Sequence, residues 1–190
     1  MPQMDISIFK QNFDGGSRPN RFVVTGTIGA QGGAVNNILV KAASMPESTL
    51  GTIVIPFRGR AVKMPGDRQY GEWTFSILDS FREDLDFRNK FENWNAAFNQ
   101  HRENIPSAAA LNGSGGLDLT NTDLFTTWTV HQLSVDGVVQ RSVSLHKCWP
   151  TIVAPIDLTY DAGDTLTEYT ITLAYDYLEH NADPHASNIK

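Results

Sequence analysis

His131, His146 and Cys148 are the residues of this chain best suited by type to hold a zinc ion. Their spacing opposes it. Asp136-Gly137 sits between two alternating apolar runs, Leu124 to Val135 and Val138 to Trp149, which predicts a hairpin closed by a two-residue type I′ turn. That register sets Val135 opposite Val138, Val130 opposite Val143 and Trp128 opposite Leu145. His146 then faces Thr127, four residues from His131, or about 13 Å along a strand rising ~3.3 Å per residue. Ligands around one zinc lie within ~2.3 Å of it, so the two histidines cannot share an ion, and His146 with Cys148 makes only two ligands.

Other reactive residue types fail on context. The run Gly26-Thr27-Ile28-Gly29-Ala30-Gln31-Gly32-Gly33 has the composition of a phosphate loop. It lacks the GxGxxG spacing and the GxxxxGK[ST] lysine, and no helix follows to offer its N-terminus. Ser114 lies between glycines without the strand-to-helix turn that exposes a nucleophile or a base beside it. Asp84 and Asp86 point apart on a helix, a spacing suited to capping and not to paired acid–base work. No cofactor, metal or catalytic set is expected.

Arg58, Arg60, Lys63 and Arg68 are the most pointed charge feature, with Arg58 and Arg60 expected on one face of a strand. Three roles fit: nucleic-acid contact, solvated charges protecting a sheet edge, or contact with a neighbouring copy. The net charge of −6 weighs on the choice through its placement. Residues 1–150 balance 14 basic against 14 acidic side chains. The last forty residues set Asp157, Asp161, Asp164, Glu168, Asp176, Glu179 and Asp183 against Lys190 alone, and residues 1–68 hold eight basic and four acidic groups. An acidic late region is a poor grip for phosphate. A basic early surface meeting an acidic late surface of another copy is a head-to-tail contact, which generates rings or filaments.

The elements that position these groups are mostly strands, since β-branched and aromatic residues recur at period two between Gly, Pro, Asn and Asp clusters. Phe22 to Ile28 and Asn37 to Ala43 read as strands. Thr52 to Lys63 reads as a bent or edge strand, because Pro56 and Gly59 lie inside it. Tyr70 to Leu78 alternates with Trp73, Phe75 and Ile77 on one face. Thr165 to Leu178 alternates with Tyr169, Ile171, Leu173, Tyr175 and Tyr177 on one face and Glu168, Thr170, Thr172, Ala174 and Asp176 on the other. Ser80 followed by Glu83 is a capping-box pattern, and Phe87, Phe91, Trp94 and Phe98 form one stripe, so residues 81–101 read as an amphipathic helix. Residues 107–122, centred on Gly113-Ser114-Gly115-Gly116, read as a flexible loop.

Half-buried strands with one helix predict a mainly β protein: an antiparallel β-sandwich or barrel with one flanking α-helix, in a single domain spanning residues 1–190. At 41% apolar and 19% charged residues the chain is neither disordered nor membrane-embedded. One cysteine permits no internal disulfide, and no apolar run reaches the ~18 residues of a membrane span, so synthesis in a cytoplasm without export is the expectation.

Several stretches, in this order over about residues 16–179, resemble the tail tube protein of contractile-tailed (myovirus) bacteriophages. They are Arg18-Pro19-Asn20-Arg21-Phe22, Lys41-Ala42-Ala43-Ser44-Met45-Pro46-Glu47, Gly66-Asp67-Arg68-Gln69-Tyr70-Gly71-Glu72-Trp73-Thr74 and Phe91-Glu92-Asn93-Trp94. Trp149-Pro150-Thr151 and Tyr169-Thr170-Ile171-Thr172-Leu173-Ala174-Tyr175-Asp176-Tyr177 complete the series.

The resemblance implies a structural virion protein, assembled in the host cytoplasm, that forms hexameric rings with a continuous inner β-barrel, stacked head to tail inside the tail sheath protein. It implies tape-measure protein and transiting DNA within the channel, baseplate and tail terminator proteins at the ends, and no membrane partner. Residues 44–68 match the family's long hairpin between subunits, which makes Arg58, Arg60, Lys63 and Arg68 the expected interface residues. The lumen-facing set is expected to be Glu168, Thr170, Thr172 and Asp176, since an acidic or small-polar lining does not hold a polyanion. The helix is expected on the outside. An N-terminal arm (1–17), the 107–122 loop and a C-terminal tail (180–190) complete the organisation. The alternatives are the inner tube of a contractile injection system that carries no DNA, and a stand-alone ligand-binding β-sandwich. The second requires exposed clustered aromatics, whereas alternation places Trp73, Trp94 and Trp128 on apolar faces.

Overall fold

The computed structural model describes residues 6–7, 16–29, 33–35, 39–82, 85–161 and 163–181. The strands in chain order are β1 (Phe22–Ile28), β2 (Gly33–Ala34), β3 (Val40–Ala43), β4 (Ser48–Phe57), β5 (Arg60–Tyr70) and β6 (Trp73–Leu78). After helix α1 (Phe87–Phe98) and a short 3-10 turn (Ala108–Ala110) come β7 (Thr126–Leu133), β8 (Val139–Val153), β9 (Glu168–Ala174) and β10 (Tyr177–Asn181). All pairings are antiparallel.

The main sheet runs β2-β1-β7-β8-β9-β6-β3, and β10 also pairs with β8. The long β8 joins two halves of it. Its first part pairs with β7 and β10, and its second part, from Trp149, pairs with β9. The bend falls at Lys147, whose φ is +55°. The final strand expected as one continuous run, Thr165 to Leu178, is instead broken at the same corner. β9 ends at Ala174, the Asp176 N–H donates to the His146 carbonyl at 3.0 Å, and β10 starts again on the other half. Two strands thus turn the corner together, and the inward faces of both halves close on one core.

That core is aromatic. The Trp128 ring lies 6.1 Å from Trp73, 5.2 Å from Phe75 and 6.0 Å from Phe91, and Phe91 lies 6.2 Å from Phe75. Residues from β6, β7 and α1 therefore meet at one point. Each buried indole N–H has an acceptor: Trp73 donates to Ser44 O (2.7 Å), Trp94 to Leu124 O (2.8 Å) and Trp128 to Thr126 Oγ1 (3.1 Å). These bonds remove the penalty of burying a polar N–H. Tyr169, Ile171 and Leu173 of β9 fill the same core, as their alternation predicts.

α1 is shorter than the expected 81–101. It starts at Phe87 because Asp86 is the N-cap, its carboxylate accepting from Asn89 N–H at 3.2 Å. Ser80 Oγ accepts from Arg82 N–H, and Glu83, the other half of the expected capping box, lies outside the described residues, as do Asp84 and most of the two terminal segments. Past Asn99 the chain turns back through Gln100 N–H to Ile105 O (2.9 Å), leaving His101 and Arg102 beyond the helix. The stripe itself holds: Phe87, Phe91 and Trp94 are buried.

The β7–β8 hairpin keeps the expected Val130–Val143 and Trp128–Leu145 pairs by a different route. Its turn is not type I′: Gly137 alone in it has a positive φ, +77°. Gly137 N–H donates to Ser134 O and Ser134 N–H to Val138 O, a three-residue loop that shifts the register by one. A bulge between Gln132–Arg141 and Leu133–Val139 shifts it back. Residues 107–122 are tied by local bonds: Asn112 Oδ1 accepts from Ser114 and Gly116 N–H, and Asp118 N–H donates to Ala110 O.

Gly26 of β1 pairs with Trp128, and a Cβ built there would stand 2.3 Å from Trp128 Cδ2. The ring cannot withdraw without disturbing Trp73, Phe75 and Phe91. Gly26→Ala is expected to destabilise the fold by about 1–3 kcal/mol. Gly113→Ala, where the added atom meets nothing within 4 Å, is expected to stay within about 0.5 kcal/mol of the parent. Urea unfolding of both variants checks this.

Candidate assembly interface

β4 and β5 form a separate two-stranded sheet that makes no extensive contact with any other strand or helix. The expected single strand over Thr52 to Lys63 is therefore a hairpin that reverses at Arg58-Gly59. Both turn residues have positive φ, +43° and +82°, the geometry of a two-residue hairpin turn that follows strand twist. The nine steps from Ser48 to Phe57 carry its tip about 30 Å from its root. Closely packed Gly51 and Gly66 mark the register shift between Leu50 and Thr52, where side chains would crowd the opposite backbone.

Cross-strand pairing sorts the hairpin into two faces. One carries Ile53–Met64, Ile55–Val62 and Phe57–Arg60; the other carries Leu50–Arg68, Thr52–Pro65, Val54–Lys63 and Pro56–Ala61. The first is an apolar stripe whose members remain about half exposed: Ile53 53%, Ile55 44%, Phe57 61%, Val62 47% and Met64 48%. An isolated hairpin is marginal in water, and monomers seldom present so long an apolar strip. Its root is anchored in the core. Trp73 Nε1 holds Ser44 O, Tyr175 Oη donates to Glu47 O at 3.2 Å, and the Tyr70 and Tyr175 rings lie 5.7 Å apart.

The four expected interface cations do not form one cluster. Arg58 sits in the turn, its guanidinium 5.5 Å above the Phe57 ring, and so does not share a strand face with Arg60. Arg60 ends the apolar face, while Lys63 and Arg68 lie on the other, with Arg68 Nη1 donating to Ser48 Oγ at 3.2 Å. The stripe itself went unread in the sequence. Its signal was the alternation Ile53, Ile55, Phe57 mirrored across Gly59 by Val62 and Met64, hidden once the segment was taken as one strand.

The expected lumen residues divide. Glu168 is ion-paired with Lys41 of β3. Thr170 faces Ser76, and Thr172, only 9% exposed, meets Thr74 Oγ1 at 3.3 Å, so these lie on one polar face of β9 and β6. Asp176 lies past the end of β9 at the corner, 3.6 Å from Lys147 Nζ, and is separate from that face.

The metal candidates stay apart. His131 lies 3.3 Å from Thr25 Oγ1, and burial holds its imidazole below the usual range. His146 stacks on Tyr177 at 4.7 Å, beside Glu179. Cys148 is buried against Leu145 O, and burial pushes its thiol up to about 12. Among the described residues no three His, Cys, Asp or Glu side chains gather as metal ligands, and no helix is long and apolar enough to cross a membrane.

A closed, aromatic-cored β body that projects an unpacked apolar hairpin is built to present a contact surface. Residues 17–181 match the family described as phage tail tube protein. The tail tube protein gp19 of Enterobacteria phage T4 is 26% identical over 140 residues, covering 73% of this chain and 78% of that relative. A tail tube protein of Serratia phage KSP90 is 23% identical over 138 residues, covering 73% and 71%. Among solved structures, a chain of the sheath-tube complex of an extracellular contractile injection system aligns with a TM-score of 0.61 at 14% identity, covering 95% of this chain and 99% of that one. The tube-terminating cap of the anti-feeding prophage aligns at 0.60 and 18%, covering 88% and 91%. The chain belongs to the phage tail tube protein family.

Two outcomes test the site. Replacing Ile53, Ile55 and Val62 by Thr is expected to leave single-chain stability within about 0.5 kcal/mol, since these side chains are already hydrated, while removing any self-association seen by analytical ultracentrifugation. Cys148 is expected to resist thiol reagents at pH 8 in the folded protein and to react promptly in urea, because the thiolate is scarce and covered.

Proposed function

We propose that this chain is the structural subunit of the inner tail tube of a contractile phage tail, polymerising as hexameric rings stacked head to tail. Family membership supports the tail-tube role, and the observation that carries self-assembly is the projecting hairpin, whose apolar stripe has no cover within its own chain. Another protein surface satisfies that stripe where water does not. In a closed ring the exposed strands at the sheet margins are paired by neighbours, which removes open edges altogether. The tail sheath lies outside, next to α1. Tape-measure protein and then DNA occupy the channel, and baseplate and terminator proteins close the ends.

The lumen surface in this reading is the polar face of β9 and β6: Glu168, Thr170 and Thr172, joined by Thr74 and Ser76. Hydroxyls with few charges offer phosphates no strong anchor, so DNA slides past without being held. Asp176, set at the corner, is the member of the expected set with the weakest claim to this surface. The injection-system reading keeps the architecture and changes the cargo. It is favoured by the structural likeness to the chains of such systems, whereas the curated relatives are phage proteins.

Negative-stain microscopy of the purified protein is expected to show six-fold rings or tubes. Isolated single chains at every concentration and salt tested would overturn the reading.

A further inference from the structure

The apolar face of the β4–β5 hairpin lacks a partner, and the chain contains a second exposed surface that matches it. Among the described residues of 154–167, which connect β8 to β9, Leu158 is 88% exposed, Tyr160 is fully exposed and Leu166 is 78% exposed. Between them stand Asp157, Asp161 and Asp164, none ion-paired among the described residues, and no Lys or Arg occurs from Cys148 to Ile189. The distal hairpin carries the converse set: Phe57, Ile55 and Val62 exposed beside Arg58, Arg60 and Lys63, likewise without carboxylate partners there. Three uncompensated cations with an apolar stripe face three uncompensated anions with apolar side chains. Single large apolar side chains on a surface are ordinary, but two exposed sets of opposite charge are complementary in both respects.

The two surfaces cannot meet within one chain. β3 ends and β6 begins at the hairpin root, where Ala43 pairs with Phe75 and Trp73 with Leu173. The acidic connection enters at the far end, where Leu78 pairs with Glu168 and Asp79 N–H donates to Thr167 O at 2.8 Å. The five steps of β6 from Trp73 to Leu78 separate them by about 17 Å, and the hairpin leaves from the opposite end. Contact between them is therefore between copies, uses two different surfaces, and leaves one hairpin and one loop free to continue the chain of contacts.

We infer that the hairpin of each copy docks on the acidic 154–167 connection of the next copy, with Phe57, Ile55 and Val62 against Leu158, Tyr160 and Leu166 and the cations on Asp157, Asp161 and Asp164. This rests on the self-assembly proposed above and supplies its partner surface. Exposed charges interact over a Debye length of ~8 Å at physiological salt, so the contact weakens as salt rises while its apolar part persists.

Charge exchange tests it in the full-length chain. R58E/R60E/K63E and D157K/D161K/D164K are each expected to raise the critical concentration for assembly by about tenfold or more. Their equimolar mixture restores assembly, because every hairpin in an alternating array again meets a loop of opposite sign. All six positions are exposed, so circular dichroism and unfolding of the variants stay at parent values. Failure of the mixture to assemble while the parent forms tubes overturns the inference and leaves the tube reading intact. A parent that never assembles overturns that reading and this inference with it. Oxidation supplies a second readout. In assembled protein, Phe57→Cys with Leu158→Cys is expected to give a ladder of disulfide-linked multimers. A ladder from Phe57→Cys with Leu119→Cys instead, placing the tip in the groove lined by Phe98, Phe125 and Trp149, overturns it. So does loss of duplex-DNA retention by R58E/R60E/K63E with assembly unchanged, which assigns the cations to nucleic acid.

Discussion

Trp128 is the fixed point of this molecule. Its ring lies over Gly26, beside Trp73 and Phe75, and against Phe91 of the helix, so β1, β6, β7 and α1 share one packing constraint. Interiors at crystal-like density pass displacement on to their neighbours, and here each neighbour is another ring. Trp73 in turn donates to Ser44 at the hairpin root, and Tyr175, at the corner of the sheet, donates to Glu47. The hairpin is thus set in the most tightly packed part of the body. A lever that must find a partner surface some 30 Å from its root needs such a mounting, since a small tilt at the base is multiplied at the tip.

The body closes its own hydrophobic surfaces, and the hairpin does not. β6 and β9 turn Trp73, Phe75, Ile77, Tyr169, Ile171 and Leu173 inward and leave hydroxyls and Glu168 outward. The hairpin has no second layer, so its stripe faces solvent in the single chain. Charged tips and a positive-φ turn at Arg58-Gly59 counter indiscriminate edge pairing. Attraction to a chosen acidic surface and protection from wrong partners are served by the same cations.

Strong period-two alternation made β6, β7, β8 and the inward face of β9 legible, and the Phe87, Phe91, Trp94 stripe made the helix legible. In each, side-chain type is dictated by a buried face. What stayed hidden was local geometry set by tertiary contact. Asp86 outcompeted Ser80 as cap because the chain enters the core at Phe87. The β7–β8 turn took three residues and a bulge, two one-residue shifts that cancel and so leave the hydrophobic pattern unchanged. The corner at Lys147 and Asp176 leaves no periodic mark, because alternation continues in sequence while the strand changes partners. At the candidate site the cations were visible as a run, yet their distribution was not. Pro56 and Gly59 marked a break without saying whether it was a bend or a reversal, and only a reversal brings Ile53, Ile55 and Phe57 beside Met64, Val62 and Arg60.

The uneven charge along the chain follows from the same division of labour. A net charge of −6 spread evenly would serve solubility alone. Concentrated on the stretch after β8, with cations held on the hairpin at the other end of the sheet, it gives the subunit a direction. Copies placed end to end in one sense bring opposite signs together, while the reverse sense sets like charges and two apolar stripes side by side. Apolar burial has no preferred orientation, so the stripe alone would permit both. Charge removes the symmetric arrangement and leaves the one that propagates.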